Sequence, residues 1–244
     1  MTPISSVPAS SASASTSPDD VWVVVPAYNE AKRIAATIGE LLAIYPNVIV
    51  VNDGSQDATA AEARRIAGNR AHVLSHAINC GQGAALQTGI EYAILCNAKY
   101  IVTFDGDGQH SVEDIARLLI PLRQGVADVV LGSRFLGQTH DMPRSRWLLL
   151  KLAVLFTRWF SWVKVTDTHN GLRAFTCEAA KTIHISLYRM AHATEIIDQI
   201  RANHLRFCEV PVNIRYSRET LLKGQSSWNS IRIAGQLILQ KLLS

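Results

Sequence analysis

The sequence predicts a single α/β domain in which helices flank a mostly parallel central sheet. Apolar runs of strand length alternate with stretches of helical periodicity, a pattern that calls for crossover connections and hence parallel pairing. Each apolar run stops in a cluster of Asp, Asn, Gly or Pro. The polar chemistry therefore falls at the carboxyl ends of the strands, where open α/β sheets take their ligands. At 244 residues and 48% hydrophobic content, the chain can bury one substantial core.

Taken in order, Val21 to Val25 is an apolar strand that ends at Pro26-Ala27-Tyr28-Asn29-Glu30, before a helix carrying Ile34, Ile38, Leu41 and Leu42. Val48 to Val51 repeats the unit, stopping at Asn52-Asp53-Gly54-Ser55-Gln56-Asp57 ahead of an alanine-rich helix that reaches about Ala67. His72 to Ser75 is a short third strand, and Asn79-Cys80-Gly81-Gln82-Gly83 opens the next helix. Ile101 to Phe104 is the fourth strand. Ser111 is the expected N-cap of the following helix, Asp114 would complete a variant capping box, and Pro121 should kink or end it. Val126 to Leu131 forms another strand, closing on Gly132-Ser133-Arg134-Phe135. Short helices are expected near Glu178 to Thr182 and Ala193 to Asn203, with a last strand from Phe207 to Tyr216. Residues 1–18, almost all Ser, Ala, Thr and Pro, read as a disordered tail, residues 19–228 as the domain and residues 229–244 as an amphipathic helix.

The centre of the chain is Asp105-Gly106-Asp107-Gly108-Gln109-His110. Two carboxylates one residue apart at the end of a buried strand suit a hard divalent cation held against a diphosphate; an Asp-Gly surface turn is the plain alternative. Arg134, Arg144, Arg146, Arg173, Arg218 and Lys223 fall in loops around the sheet, as a phosphate-binding set would.

Other chemistries find little support. Gly81-Gln82-Gly83 lies in the third unit and meets its next glycine only at Gly89, so it is a weak dinucleotide signal, and no P-loop run exists. The glycine turn either touches a nucleotide or closes tightly on a helix. The eight histidines show no metal pair, although His110 and His169 stand beside acidic motifs. Cys80, Cys96, Cys177 and Cys208 are too scattered for a zinc site or a disulfide framework. A net charge of only +4 does not suggest a nucleic-acid partner. Trp147 to Trp162 is apolar and aromatic but interrupted by Lys151 and Arg158. It is too short to span a bilayer and suits either a membrane-interface helix or one packed on protein.

Together these motifs resemble family 2 of the inverting, nucleotide-sugar-dependent glycosyltransferases, whose GT-A fold has a Rossmann-like sheet, and within it the polyprenyl-phosphate (dolichyl-phosphate) mannose or glucose synthases. The resemblance runs from Val21 to about Trp228. It is carried by Val-Pro-Ala-Tyr-Asn-Glu at 25–30, Val-Asn-Asp-Gly-Ser-Gln-Asp at 51–57, Asn79 through Gly89, Asp-Gly-Asp-Gly-Gln-His at 105–110, Gly-Ser-Arg-Phe at 132–135, Asp167 to Arg173, and Lys-Gly-Gln-Ser at 223–226.

The resemblance implies that Pro26, Tyr28, Glu30 and Asp53 line the base and ribose pocket, with Gly83 and Gly106 against the nucleotide sugar. Asp105, Asp107 and Gln109 would place Mg²⁺ or Mn²⁺ on the diphosphate. Arg134, Arg146 and Arg173 would face the acceptor phosphate, while Arg218, Lys223 and Ser226 close over the donor. Asp105, Asp107 and Arg134 form the expected catalytic set. In two places the chain departs from the family pattern: Leu150 stands where a serine is expected after the second acceptor arginine, and the spacing from Arg218 to Ser226 is long, which favours Lys223 as the donor contact.

The expected reaction is metal-dependent transfer of a hexosyl group from a nucleotide diphosphate sugar to a polyprenyl phosphate. The enzyme would sit in the cytoplasm, peripherally at the inner face of the membrane, with self-association left open. A lipid monophosphate is largely ionised near neutral pH and needs no general base. A sugar hydroxyl acceptor, the alternative, would need one, and Glu195 and Asp198 are the candidates. A non-catalytic nucleotide-sugar-binding domain is the remaining alternative.

Overall fold

The computed structural model describes residues 17–137, 139–140, 147, 151, 154–155, 163–187 and 192–215. Arg144, Arg146, Arg218, Lys223, Ser226, most of the tail, most of residues 147–162 and the expected terminal helix lie outside the described residues.

The elements run β1 (Val21–Ala27), α1 (Ile34–Leu42), β2 (Asn47–Asn52), α2 (Thr59–Ala67), β3 (Ala71–Ser75), α3 (Gln82–Leu95), β4 (Tyr100–Thr103), α4 (Glu113–Arg123), β5 (Val129–Ser133), β6 (Thr139–His140), β7 (Arg173–Thr176), α5 (Cys177–Thr182), α6 (His192–Ala202), β8 (Phe207–Pro211) and β9 (Ile214–Arg215). Seven strands form the main sheet in the order β3-β2-β1-β4-β7-β5-β8, and β6 pairs with β9. All main-sheet pairings are parallel except those of β7, which runs antiparallel between β4 and β5. This reversal matters for the site, because it brings the loop that precedes β7 to the edge where β4 and β5 end.

Alternate side chains of each central strand enter two separate cores, as the period of two dictates. Val23, Val25, Val48 and Val50 join α1, α2 and α4 through Ile34, Ile38, Leu41, Ala63, Ile115 and Leu118. Val24, Ile49 and Val51 face α3, α5 and α6, meeting Ala85, Ile90, Ala179, Ile196 and Ile200. Helix α1 presents Ile34, Ile38 and Leu41 at helical spacing, so one stripe is buried and the opposite face is solvated. Small residues bring α3 close to the sheet: a Cβ on Gly89 would overlap Val24.

Several boundaries differ from the sequence-based expectation for identifiable reasons. Helix α4 passes through Pro121 and ends at Arg123, since a proline this near the end removes one amide donor and the last turn still closes by Gln124 N donating to Ile120 O. Val126 and Ala127 donate to Pro121 O and belong to that turn, so β5 starts only at Val129. Asp114 caps nothing. It is buried, accepts from Arg117 at 2.9 Å and from the Asn213 amide at 2.8 Å, and thereby ties α4 to the break between β8 and β9. The expected strand from Phe207 is interrupted there, with Val212 N donating to Ser133 O. Tyr216 lies outside the described residues.

Candidate active site

The loops after β1 and β2 are stitched together. Asn29 N donates to Ser55 Oγ at 3.0 Å, Glu30 N to Thr59 Oγ1 at 2.8 Å, and Gln56 N to Asn29 Oδ1 at 3.0 Å. Pro26 is buried at the end of β1, whereas the Tyr28 ring stands 44% exposed at the rim. Asp53 is only 2% exposed. Its carboxylate accepts from Cys80 N at 2.8 Å and Gly81 N at 2.7 Å, and it meets His76 Nδ1 at 2.9 Å, so it fixes the turn that opens α3. Gly83 closes α3 against the segment before α6, since a Cβ there would overlap the Leu187 carbonyl. Of the two readings of this glycine turn, the close helix packing is the one the contacts express.

Gln82, one residue past that turn, donates to Asp105 Oδ1 at 3.0 Å, while His110 Nε2 meets Asp105 Oδ2 at 3.2 Å. Burial by itself would raise the Asp105 pKa, but the His110 hydrogen bond, with the charges of His110, His192 and Arg173, holds it below the usual carboxylate value. Asp107 behaves oppositely: burial and then the Asp105 charge push it up to about 6. Its Oδ1 accepts from Gln109 N at 3.0 Å. Gly106 packs under the loop, where an added Cβ would lie 3.1 Å from Pro26 O.

Two carboxylates in one another's field, one of them strained toward protonation, fit a divalent cation that would neutralise both. Among the described residues, three potential metal-donor side chains converge within 4.8 Å only at Asp53, His76 and Cys80. The Asp53 and His76 donors there are already spent on internal hydrogen bonds. One or two carboxylates are the usual protein provision for a cation such as Mg²⁺ that also takes substrate phosphate oxygens.

On the other side, at the end of β5, Arg134 is buried against Asp167. Nε donates to Asp167 Oδ2 at 2.6 Å, the Arg134 amide donates to the same oxygen at 3.0 Å, and Nη2 donates to His169 O at 3.0 Å. Arg173 starts β7 opposite Thr103, is 3% exposed and donates to Thr168 O at 3.0 Å. Burial lowers its pKa to about 10, against the opposing charges of Asp105 and Asp167, so it stays cationic and acts from inside the loop on Asp105. Glu195 has its carboxylate occupied by Ser186 N and Oγ and by Leu187 N.

The structure therefore brings Asp105, Arg134 and Arg173 together around the loop before β7. Asp107, with Gln109 N on its carboxylate, stands in the fields of Asp105 and Glu30, and Pro26 and Asp53 reach the same edge through Gly106 and the turn before Gln82. The sequence assigns no individual role to Gln82, Asp167 or Glu209. The last was legible as a charged residue inside an otherwise apolar strand, and its carboxylate accepts from Thr166 N and Oγ1 and from Asp167 N.

Comparison with known proteins assigns the chain to a family. Residues 22–183 match the model of glycosyl transferase family 2. The polyprenol monophosphomannose synthase of Mycolicibacterium smegmatis is 31% identical over 87% of this chain and 83% of its own. The UDP-N-acetylglucosamine–dolichyl-phosphate N-acetylglucosaminyltransferase of Methanococcus voltae is 29% identical over 91% of this chain and 96% of its own. Among solved structures, glucosyl-3-phosphoglycerate synthase from Mycobacterium tuberculosis, in complex with Mn²⁺ and UDP-glucose, superposes with a TM-score of 0.67 at 19% identity, over 89% of this chain and 76% of its own. That likeness establishes the GT-A fold. The chain belongs to glycosyl transferase family 2 and is a glycosyltransferase.

Proposed function

We propose that this enzyme transfers a hexosyl group from a nucleotide diphosphate sugar to a polyprenyl phosphate, with inversion and with Mg²⁺ or Mn²⁺. The observation that carries the reading is that one short loop, the one before β7, touches Arg134 through His169 O and Asp105 through Gly171. Donor leaving group and acceptor phosphate can then occupy opposite sides of one short loop. Asp105 and Asp107, with Gln109 beside them, would hold the cation, whose charge would neutralise the leaving diphosphate. Arg134, oriented by Asp167, faces the attacking phosphate together with Arg146. Asp53 shapes the nucleotide pocket by fixing the Cys80–Gly81 turn, while Tyr28 and Glu30 line its rim and Gly106 keeps its floor low. Arg218, Lys223 and Ser226 close over the donor.

A phosphate acceptor needs no proton removed, which accords with a Glu195 whose oxygens are spent on Ser186 and Leu187. The two relatives named above carry different sugars in their names but a polyprenyl-type acceptor in both, which supports the acceptor class over any particular hexose.

Among the described residues no helix is long and apolar enough to cross a membrane. Peripheral contact with the membrane is supported by Trp147 and Leu155, 49% and 64% exposed, beside Lys151, whose Nζ stacks 4.1 Å from the Phe135 ring centroid.

The test is incubation of the purified protein with radiolabelled GDP-mannose, UDP-glucose or UDP-N-acetylglucosamine, MnCl₂ or MgCl₂, and either a polyprenyl phosphate or an oligosaccharide. Label extracted with the lipid supports the reading. Label on the oligosaccharide alone sinks it.

A further inference from the structure

The loop from Thr166 to Gly171 is anchored at its start by the Thr166 and Asp167 side chains, which bond Glu209 and Arg134, and beyond that through its backbone. Glu209 takes the Thr166 and Asp167 amides, Arg173 and Arg134 donate to the Thr168 and His169 carbonyls, and Thr103 Oγ1 donates to Gly171 O at 2.7 Å. The three side chains in the middle are left over. Thr168 Oγ1, His169 Nδ1 and Asn170 Nδ2 are buried without a hydrogen-bond partner, although Asn170 Oδ1 accepts from Leu172 N at 2.9 Å. Among the described residues only one other buried side-chain polar atom is unpartnered, His110 Nδ1, on the histidine that meets Asp105.

Thr168 is 1% and Asn170 2% exposed, so neither is a surface group waiting for bulk water. Unpaired buried polar atoms are costly and rare, and three in succession on a loop this firmly held indicate that the missing partner is a ligand. The loop lies between Arg134 and Asp105, where cations and carboxylates already answer the charged parts of both substrates. A hydroxyl and a carboxamide N–H₂ are neutral groups and match neutral hydroxyls.

We propose that Thr168 and Asn170 hydrogen-bond the hydroxyls of the hexosyl group under transfer, which makes the loop before β7 the element that recognises the sugar. This rests on the glycosyl-transfer reading given above and adds to it the residues that distinguish a sugar nucleotide from the bare nucleotide.

The test uses Thr168→Val and Thr168→Ser in the full chain, with MnCl₂ and whichever of GDP-mannose, UDP-glucose or UDP-N-acetylglucosamine the unmodified protein turns over, against the matching GDP or UDP. The valine variant exchanges an unsatisfied hydroxyl for a methyl of the same shape, so Tm of the unliganded protein should hold or rise. Its affinity for the nucleotide diphosphate should stay within about twofold while kcat/KM for the sugar nucleotide falls about tenfold or more. The serine variant, which keeps the hydroxyl, should retain most of the activity. An unchanged kcat/KM in Thr168→Val overturns the proposal, as does an equal loss of nucleotide diphosphate affinity. A lowered Tm does so too, because the hydroxyl would then have had a partner within the protein. If the unmodified protein turns over none of the three donors, the glycosyl-transfer reading itself fails and this proposal fails with it.

Discussion

Gly171 packs directly on the Asp105 carboxylate, so closely that a Cβ at residue 171 would overlap both carboxylate oxygens. The contact exists because β7 enters the sheet antiparallel beside β4, with Arg173 opposite Thr103, and Gly171 is the last loop residue but one before that pairing begins. Replacement by alanine must move either the loop or Asp105. We expect Gly171→Ala to cost about 1–3 kcal/mol of stability by overpacking and to reduce turnover about 100-fold, as small displacements of a positioned group do. Denaturant unfolding alongside a donor-turnover assay separates the two effects; full activity would show that the contact does not position Asp105.

Asp107 should be indispensable for a different reason. Burial and the Asp105 charge raise its pKa to about 6, so its carboxylate is the less comfortable of the pair without a cation and gains most from one. Asp107→Ala is expected to abolish turnover while leaving the fold stable or slightly stabilised, since a strained charge is removed. EDTA should silence the unmodified enzyme, and added Mn²⁺ or Mg²⁺ should restore it. Turnover that survives chelation would remove the metal from the reaction.

Strands β1, β2 and β4 were legible because strands buried on both faces read as unbroken apolar runs, and Asp105 and Asp107 were legible because they follow one of those runs. Strand β7 was not. Arg173-Ala174-Phe175-Thr176 begins with a charged residue, and its place between β4 and β5 is a non-local fact that no local pattern encodes. That insertion is what makes the Asp167 to Gly171 stretch the bridge between Asp105 and Arg134. Gln82 was missed for a similar reason, since its partner Asp105 lies on another unit of the fold.

Arg134 and Asp167 make a buried pair, with side chains 8% and 1% exposed. Asp167→Asn keeps the shape but leaves the guanidinium without its countercharge. Removing one partner of such a pair costs about 3–5 kcal/mol, and the freed arginine would no longer be aimed by its Nε bond. Melting should show a large loss of Tm, and in a lipid-acceptor assay KM for the polyprenyl phosphate should rise more than KM for the sugar nucleotide. A loss confined to the donor would place Arg134 on the other substrate.

Finally, His169 gives the protein an acid-sensitive stability. Burial pushes its pKa down to about 4; Asp167 opposes the shift, and the charges of Arg134 and Arg173 add to it. In the unfolded chain the ring takes its proton near its ordinary value of about 6.5. Between these two values the unfolded state binds the proton and the folded state does not, so stability is full above about 6.5, declines as the pH falls through that window and levels off below about 4. The loss is on the order of 2–3 kcal/mol. Asp107, raised to about 6, contributes a slope of opposite sign below that value in both proteins, so the measure is the difference. In urea unfolding across the window, the unmodified protein should lose more stability toward acid than His169→Gln, which cannot titrate. Equal slopes would mean that the ring is already charged in the folded state. That result would also weaken the picture of Arg134 and Arg173 crowding the same loop, because a second cation beside them would then be tolerated.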